Sequence, residues 1–230
     1  WHWLKLKGEF KAHRIMKVLI VLGGTRGDTQ PCVALAVALR KAGHKILFLA
    51  PITHVKLCTD QGFETVETTF RFDIEPLIEE VMASSDMKNF GSGMGFLKKV
   101  FGLLKKPELK AAMKTILPNT WEVAQKFEPH LMICPIPLPV HIICEKLRIP
   151  FILISYQANA PTREHPPFFV NDGLPLKSFP SWHKWLGEKM LPLALKKAWK
   201  RFDPDDFGRN VLKVSNSSAS MELYPKIYEW

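Results

Sequence analysis

No stretch of this sequence is long and apolar enough to cross a bilayer. The most apolar run, Leu131 to Cys144, is broken by Pro135, Pro137 and Pro139 and falls short of the ~20 residues a spanning helix needs. The first 14 residues mix Trp, Lys and His around no apolar core, so they do not read as a signal peptide. The four cysteines, Cys32, Cys58, Cys134 and Cys144, form no C-x-x-C pair and no zinc-finger spacing. They fit buried thiols of a reducing compartment, and no metal is expected. Acidic residues are in short supply, 22 against 32 Lys and Arg, which leaves a formal net charge of +10. That excess favours an anionic partner without choosing among nucleic acid, a membrane surface and a phosphorylated substrate. No internal repeat is visible. The expected setting is cytoplasmic.

What the chain does have is apolar mass and alternation. At 230 residues and 47% hydrophobic it can bury a full core. Val18 to Leu22 reads as a first strand and Pro31 to Ala42 as a helix stopped by Gly43, the residue type that accepts a left-handed cap. Lys45 to Ala50 reads as a second strand, 53–61 as a short helix, Phe63 to Glu67 as a third strand and Glu75 to Ala83 as a helix. The glycine-rich stretch Asn89 to Gly95 reads as a connection. Further helices are expected at Phe96 to Thr115, Pro118 to Phe127 and Pro139 to Leu147, with strands at Leu131 to Cys134 and Phe151 to Ser155. This β-α-β order predicts an α/β fold, a Rossmann-like parallel sheet of about six strands with helices on both faces. A Pro-rich loop to about residue 180 and a Trp- and Lys-rich helical region to about residue 216 follow. Residues 1–15 are expected to form a leader outside the domain, since Met16 directly precedes the first strand.

The turn after the first strand, Leu22-Gly-Gly-Thr-Arg-Gly-Asp-Thr-Gln-Pro31, concentrates the chemistry. Glycines let backbone fold tightly and approach a ligand, Asp28 or Thr29 can cap the following helix, and Pro31 suits its first turn. A dinucleotide fingerprint requires G-x-G-x-x-G and an acid at the end of strand two. Gly23, Gly24 and Gly27 have other spacing, strand two ends in Ala50-Pro51, and no G-x-x-x-x-G-K-[ST] loop exists.

Two blocks carry a family resemblance. Gly24-Thr-Arg-Gly-Asp-Thr-Gln-Pro31 with Ala34 to His44, and Leu147 to Ser155 with Ala160-Pro-Thr-Arg-Glu-His-Pro-Pro167, resemble the amino-terminal acceptor domain of sterol 3-beta-glucosyltransferases and related antibiotic glycosyltransferases. The resemblance covers roughly 16–224. It implies the first of two Rossmann-like lobes, with 225–230 starting an interdomain segment and the donor-binding domain lying beyond Trp230. It further implies an inverting transferase that moves a hexose, glucose in the simplest case, from a UDP-sugar to a sterol or similar lipid hydroxyl. The UDP-sugar would be a co-substrate, with no cofactor needed, and this chain alone would not turn over.

By the same resemblance Asp28 is the base that accepts the acceptor's proton; the plainer alternative makes it only a helix cap. Thr25, Arg26, Thr162, Arg163, Glu164, His165 and Phe168 are candidate acceptor contacts, and Gly23, Gly24 and Gly27 a donor-proximal loop. Arg26 suits either donor phosphates or a local salt bridge, and His165 is a reserve base. The loop mixes polar groups with Pro166, Pro167, Phe168 and Phe169, which suits an apolar acceptor with one hydroxyl. His44, His54 and His141 sit in no motif and read as structural.

Basic residues cluster among apolar ones at Phe96 to Lys114 and again at Trp182 to Arg201. Both stretches fit either peripheral contact with an anionic membrane or amphipathic helices packed on the sheet with solvated lysines. A non-catalytic lipid-binding module would use the same cleft. Nucleic-acid binding is not expected, because no recognised motif or base-stacking platform accompanies the charge.

Overall fold

In the computed structural model the described residues are 15–68, 107–154, 200–202 and 204–213, with single positions 102, 156, 185, 188, 189 and 193. Five strands form one parallel sheet: β1 (Lys17–Val21), β2 (Lys45–Ala50), β3 (Glu64–Glu67), β4 (Leu131–Cys134) and β5 (Phe151–Leu153). Their spatial order is β3-β2-β1-β4-β5. The order reverses between β1 and β4, which pair in the register Val18 with Leu131 and Ile20 with Ile133. Such a reversal opens a crevice at the carboxyl ends of the strands, where ligands bind in open α/β sheets.

β1 and β2 are near-continuously buried, as a strand covered on both faces must be. Their side chains divide between two cores. Leu19, Val21, Leu47 and Leu49 join Met132 on one face, covered by helix α3 (Pro107–Phe127) and helix α4 (His141–Leu147). Val18, Ile20, Phe48 and Ile133 face the other side, where helix α1 (Arg26–Lys41) and helix α2 (Ile52–Thr59) supply Cys32, Val33, Ala36 and Cys58. Helices on both faces are the expected architecture. A short 3-10 turn (Lys200–Phe202), helix α5 (Pro204–Phe207) and a π-helical turn (Gly208–Leu212) bring Phe202, Phe207 and Leu212 into the first core.

Beyond shifts of one or two residues at several element ends, three differences from the sequence reading matter. α1 starts at Arg26, five residues before Pro31, which lies inside the helix. Thr25 is its N-cap, whereas Asp28 is the third helical residue and Thr29 the fourth. The proline is tolerated because it and Gly27 are both exposed, so water can satisfy the Gly27 carbonyl that residue 31 cannot. Second, one helix runs from Pro107 through Pro118 where a break was expected. Leu109, Met113, Leu117, Thr120 and Ala124 form one buried stripe across the proline, and burial of that stripe outweighs its ~3 kcal/mol penalty. Third, the described sheet has five strands rather than six. The C-terminus of α1 follows expectation: Gly43 has φ +89°, and the Gly43 and His44 amides bond the Arg40 and Leu39 carbonyls at 2.9 and 3.1 Å.

The expected elements at Glu75 to Ala83 and Asn89 to Gly95, and positions 96–106 of the expected helix Phe96 to Thr115 apart from 102, lie outside the described residues. So do residues 1–14 of the leader and the region 157–184. Among the described residues, no helix is long and apolar enough to cross a membrane.

Candidate acceptor site at the switch point

The turn from β1 into α1 is held from three sides. The Leu22 amide bonds the Leu49 carbonyl at 2.8 Å, tying the end of β1 to β2. The imidazole Nε2 of His54, a residue only 3% exposed, sits 3.2 Å from the Gly24 carbonyl and takes the donor role there. Asp28 reaches back from α1: its Oδ2 accepts the Thr25 amide at 2.8 Å and the Thr25 hydroxyl at 3.1 Å. This is the returning arm of a capping box, with an aspartate at the third helical position.

That arrangement explains why the turn needs glycine at position 24. Gly24 has φ +79°, and a Cβ there would overlap Asp28 Oδ2 while lying 3.4 Å from Ile136 Cγ2. Gly23 is closed in by Ile136 as well, whose Cδ1 would be 2.6 Å from an added Cβ. Gly27 is exposed and meets only Thr25 Oγ1, at 3.5 Å. Gly24→Ala should therefore cost about 1–2 kcal/mol through the left-handed backbone alone and push the Asp28 carboxylate from its place. The check is a thermal melt beside the parent; an unchanged Tm would show that the turn relaxes freely.

Beyond the glycines opens a cavity of about 180 Å³. Its floor is the carboxyl end of the sheet: Val21 to Gly24 after β1, Pro51 and Thr53 after β2, Thr68 after β3, and Ile136 and Leu138 after β4. Its wall is α3, through Leu109, Met113, Ile116 and Thr120, closed by Phe202. Apolar side chains dominate, and the polar groups are threonines. The Thr120 hydroxyl is spent on the Ile116 carbonyl at 2.7 Å. Such a lining suits a rigid apolar body bearing few polar atoms.

Asp28 is not among the cavity's lining residues. It reaches the rim through Gly24, which contacts the carboxylate on one side and borders the cavity on the other. Helix N-termini commonly hold phosphate, but here an aspartate already takes the Thr25 amide.

The structure brings together Gly23, Gly24, Thr25 and Asp28. Arg26 is exposed at the first position of α1. Thr162, Arg163, Glu164, His165 and Phe168 lie outside the described residues. The Thr29 hydroxyl, expected as a possible cap, is buried without a hydrogen-bond partner among the described residues. His44 bonds the Met16 amide through Nδ1 at 3.3 Å, a structural role as expected.

Sequence reading missed the wall of the cavity. The regular spacing of apolar residues in α3 marks a buried face but does not say that part of it borders a void. It also missed Tyr156, whose hydroxyl lies 3.2 Å from Cys32 Sγ.

All four cysteines are free and buried. Burial pushes the Cys58 thiol up to about 11 and the Cys134 and Cys144 thiols up to about 12, so these three stay protonated and unreactive at neutral pH. Among the described residues no three His, Cys, Asp or Glu side chains gather as a metal site.

Fold and site together define a Rossmann-like domain with an apolar cavity at its switch point and the Asp28 carboxylate packed behind Gly24 at its edge. Residues 18–166 match the glycosyltransferase family 28 N-terminal domain, and the chain belongs to that family. It is 27% identical over 171 residues to the sterol 3-beta-glucosyltransferase UGT80B1 of Arabidopsis thaliana, a match covering 70% of this chain and 26% of that protein. Among solved structures, the kitacinnamycin glycotransferase superposes with a TM-score of 0.50 at 15% identity, over 92% of this chain and 44% of that one. The glycosyltransferase SnogD of Streptomyces nogalater gives 0.47 at 15% identity, over 88% and 42%. The chain thus spans about a quarter of the plant enzyme and less than half of either solved structure.

Proposed function

We propose that this chain is the acceptor-binding lobe of an inverting glycosyltransferase that moves a hexose from a UDP-sugar to a sterol or similar lipid alcohol. The observation that carries the reading is the Asp28 carboxylate, fixed by Thr25 directly behind Gly24, which borders an apolar cavity. The apolar body of the acceptor enters the cavity and its hydroxyl faces Asp28. As the acceptor oxygen attacks the anomeric carbon, its proton passes to the carboxylate. The bond from that carbon to the diphosphate oxygen breaks, and the nucleotide diphosphate departs with the electron pair. The donor is held by a second lobe, and glucose as the sugar rests on the similarity to the plant sterol glucosyltransferase. Thr25 supplies positioning here: its amide and hydroxyl both engage Oδ2.

The test is equilibrium binding of the fluorescent sterol cholesta-5,7,9(11)-trien-3β-ol to the 230-residue chain. We expect saturable binding that is competed by other flat sterols and weakened by Ile116→Trp or Met113→Trp, which crowd the α3 wall. Absence of saturable binding would remove the sterol assignment. Binding without transfer, when the donor lobe and UDP-glucose are supplied, would favour a non-catalytic lipid-binding module.

A further inference from the structure

Tyr156 stands three residues past β5, at the entrance to the segment that carries Thr162 to His165. It is 44% exposed, yet its hydroxyl is anchored 3.2 Å from the Sγ of Cys32, a residue with no exposed surface. Cys32 lies on α1 four residues after Asp28. Residues at that spacing are neighbours on one helix face, with Cβ atoms about 6 Å apart. One contact therefore ties the chain after β5 to α1 one turn past the carboxylate, near enough for the Asp28 charge to act on the phenol, although neither Tyr156 nor Cys32 lines the cavity itself.

We propose that Tyr156 positions the acceptor hydroxyl for Asp28, and that Cys32 holds the tyrosine ready between substrates. The inference rests on the acceptor-lobe reading above and adds to it a second hydrogen-bonding group. The chemistry is complementary. An alcohol being activated donates its proton to a carboxylate while its oxygen keeps lone pairs that can accept. A carboxylate alone fixes the distance of that hydroxyl but leaves it free to swing. A phenol donating to the same oxygen fixes the swing as well, so that the remaining lone pair faces the sugar.

Tyr156 is suited to act as a donor. Burial, the bond to Cys32 and the nearby Asp28 charge all raise its pKa, so it stays protonated. Burial also raises the Cys32 thiol, and the Asp28 charge adds to that, against the opposing effect of the tyrosine bond. Sulfur is a weak acceptor, so the phenol can exchange it for an alcohol oxygen at small cost. The pairing holds the ring in place without competing strongly with substrate.

The experiment compares two fluorescent probes on the 230-residue chain: cholesta-5,7,9(11)-trien-3β-ol and the same triene lacking the 3-hydroxyl. The parent should bind the alcohol more tightly than the deoxy compound. Tyr156→Phe keeps the ring and removes one hydroxyl. It should weaken the alcohol about five- to tenfold, the scale of one hydrogen bond, and leave the deoxy probe within twofold. A purely structural tyrosine would weaken both probes equally, and that result overturns the proposal. So does an unchanged preference for the alcohol.

Cys32→Ala leaves the hydroxyl but removes its anchor, and should lower the preference for the alcohol by a smaller factor that Cys32→Ser restores. An unaltered preference in Cys32→Ala would overturn the role given to the thiol. These cysteine variants also keep the question open to measurement if Tyr156→Phe fails to fold. If the parent binds neither probe, the acceptor-lobe reading falls together with this one. If it binds both and Tyr156→Phe keeps the parent's preference for the alcohol, the tyrosine assignment alone is lost.

Discussion

Asp28→Asn should lower sugar transfer at least a hundredfold while leaving the lobe as stable as the parent. The two consequences separate because the observed cap and the proposed base draw on different chemistry. As a cap it accepts the Thr25 amide at 2.8 Å, and an asparagine side-chain oxygen can accept the same bond. As a base it must take a proton, which an amide cannot do at neutral pH, and loss of a positioned base typically costs 10²–10⁴ in rate. Asp28→Ala removes both roles. It should match the asparagine variant in rate and also lose about 1 kcal/mol of stability, a drop of roughly 2–4 °C in Tm for a domain of this size.

The measurement pairs initial rates, taken with the donor lobe present, with melting curves of the same preparations. A rate for Asp28→Asn within tenfold of the parent would leave Asp28 as a helix cap and move the search for a base to His165. A melting point for the asparagine variant as low as that of the alanine variant would show that the cap needs a charge rather than a lone pair.

Phe48→Ala should have the largest effect on stability. Phe48 is fully buried in β2, lies edge-on to Phe63 with ring centroids 5.3 Å apart, and pairs in register with Ile20. Removing a buried phenylalanine costs about 3–5 kcal/mol through lost transfer energy and the cavity left behind. For this size of domain that corresponds to roughly 10 °C or more in Tm.

The effect should extend to the site, since β2 ends two residues later at Ala50 and the next residue, Pro51, borders the cavity. Calorimetry checks the first part and sterol-probe binding below the transition checks the second. A loss of less than about 4 °C would show that the helices on that face collapse onto the gap. Phe48→Leu, which keeps most of the volume, should recover more than half of the loss.

Much of the fold was legible because its signals are local. β1, β2 and β4 are short apolar runs between turn residues, and Gly43 marks the end of α1 by the one conformation it alone takes cheaply. The two blocks around Asp28 and Pro161 to Pro167 were enough for the family. The start of α1 was misplaced even though its signal was present. Thr25-x-x-Asp28 has the spacing of a capping box, but Pro31 offered a competing start signal, and only the exposure of Gly27 and Pro31 shows why a proline is harmless there. The uninterrupted α3 was illegible for a similar reason: Pro118 opposes the helix locally, while the buried stripe from Leu109 to Ala124 sustains it through contacts with strands far away in sequence.

By itself, then, the sequence determined the alternation of strands and helices and the glycine turn with its acid, which follow from propensities and spacings within a few residues, and its two motif blocks carried the resemblance to a glycosyltransferase family. Only the tertiary structure decided that β1 and β4 adjoin and so open the crevice, that α3 walls it with apolar side chains, and that Tyr156 reaches Cys32 across 124 positions of chain. Those features arise from packing between distant segments. No single segment carries a record of the partner that will bury it.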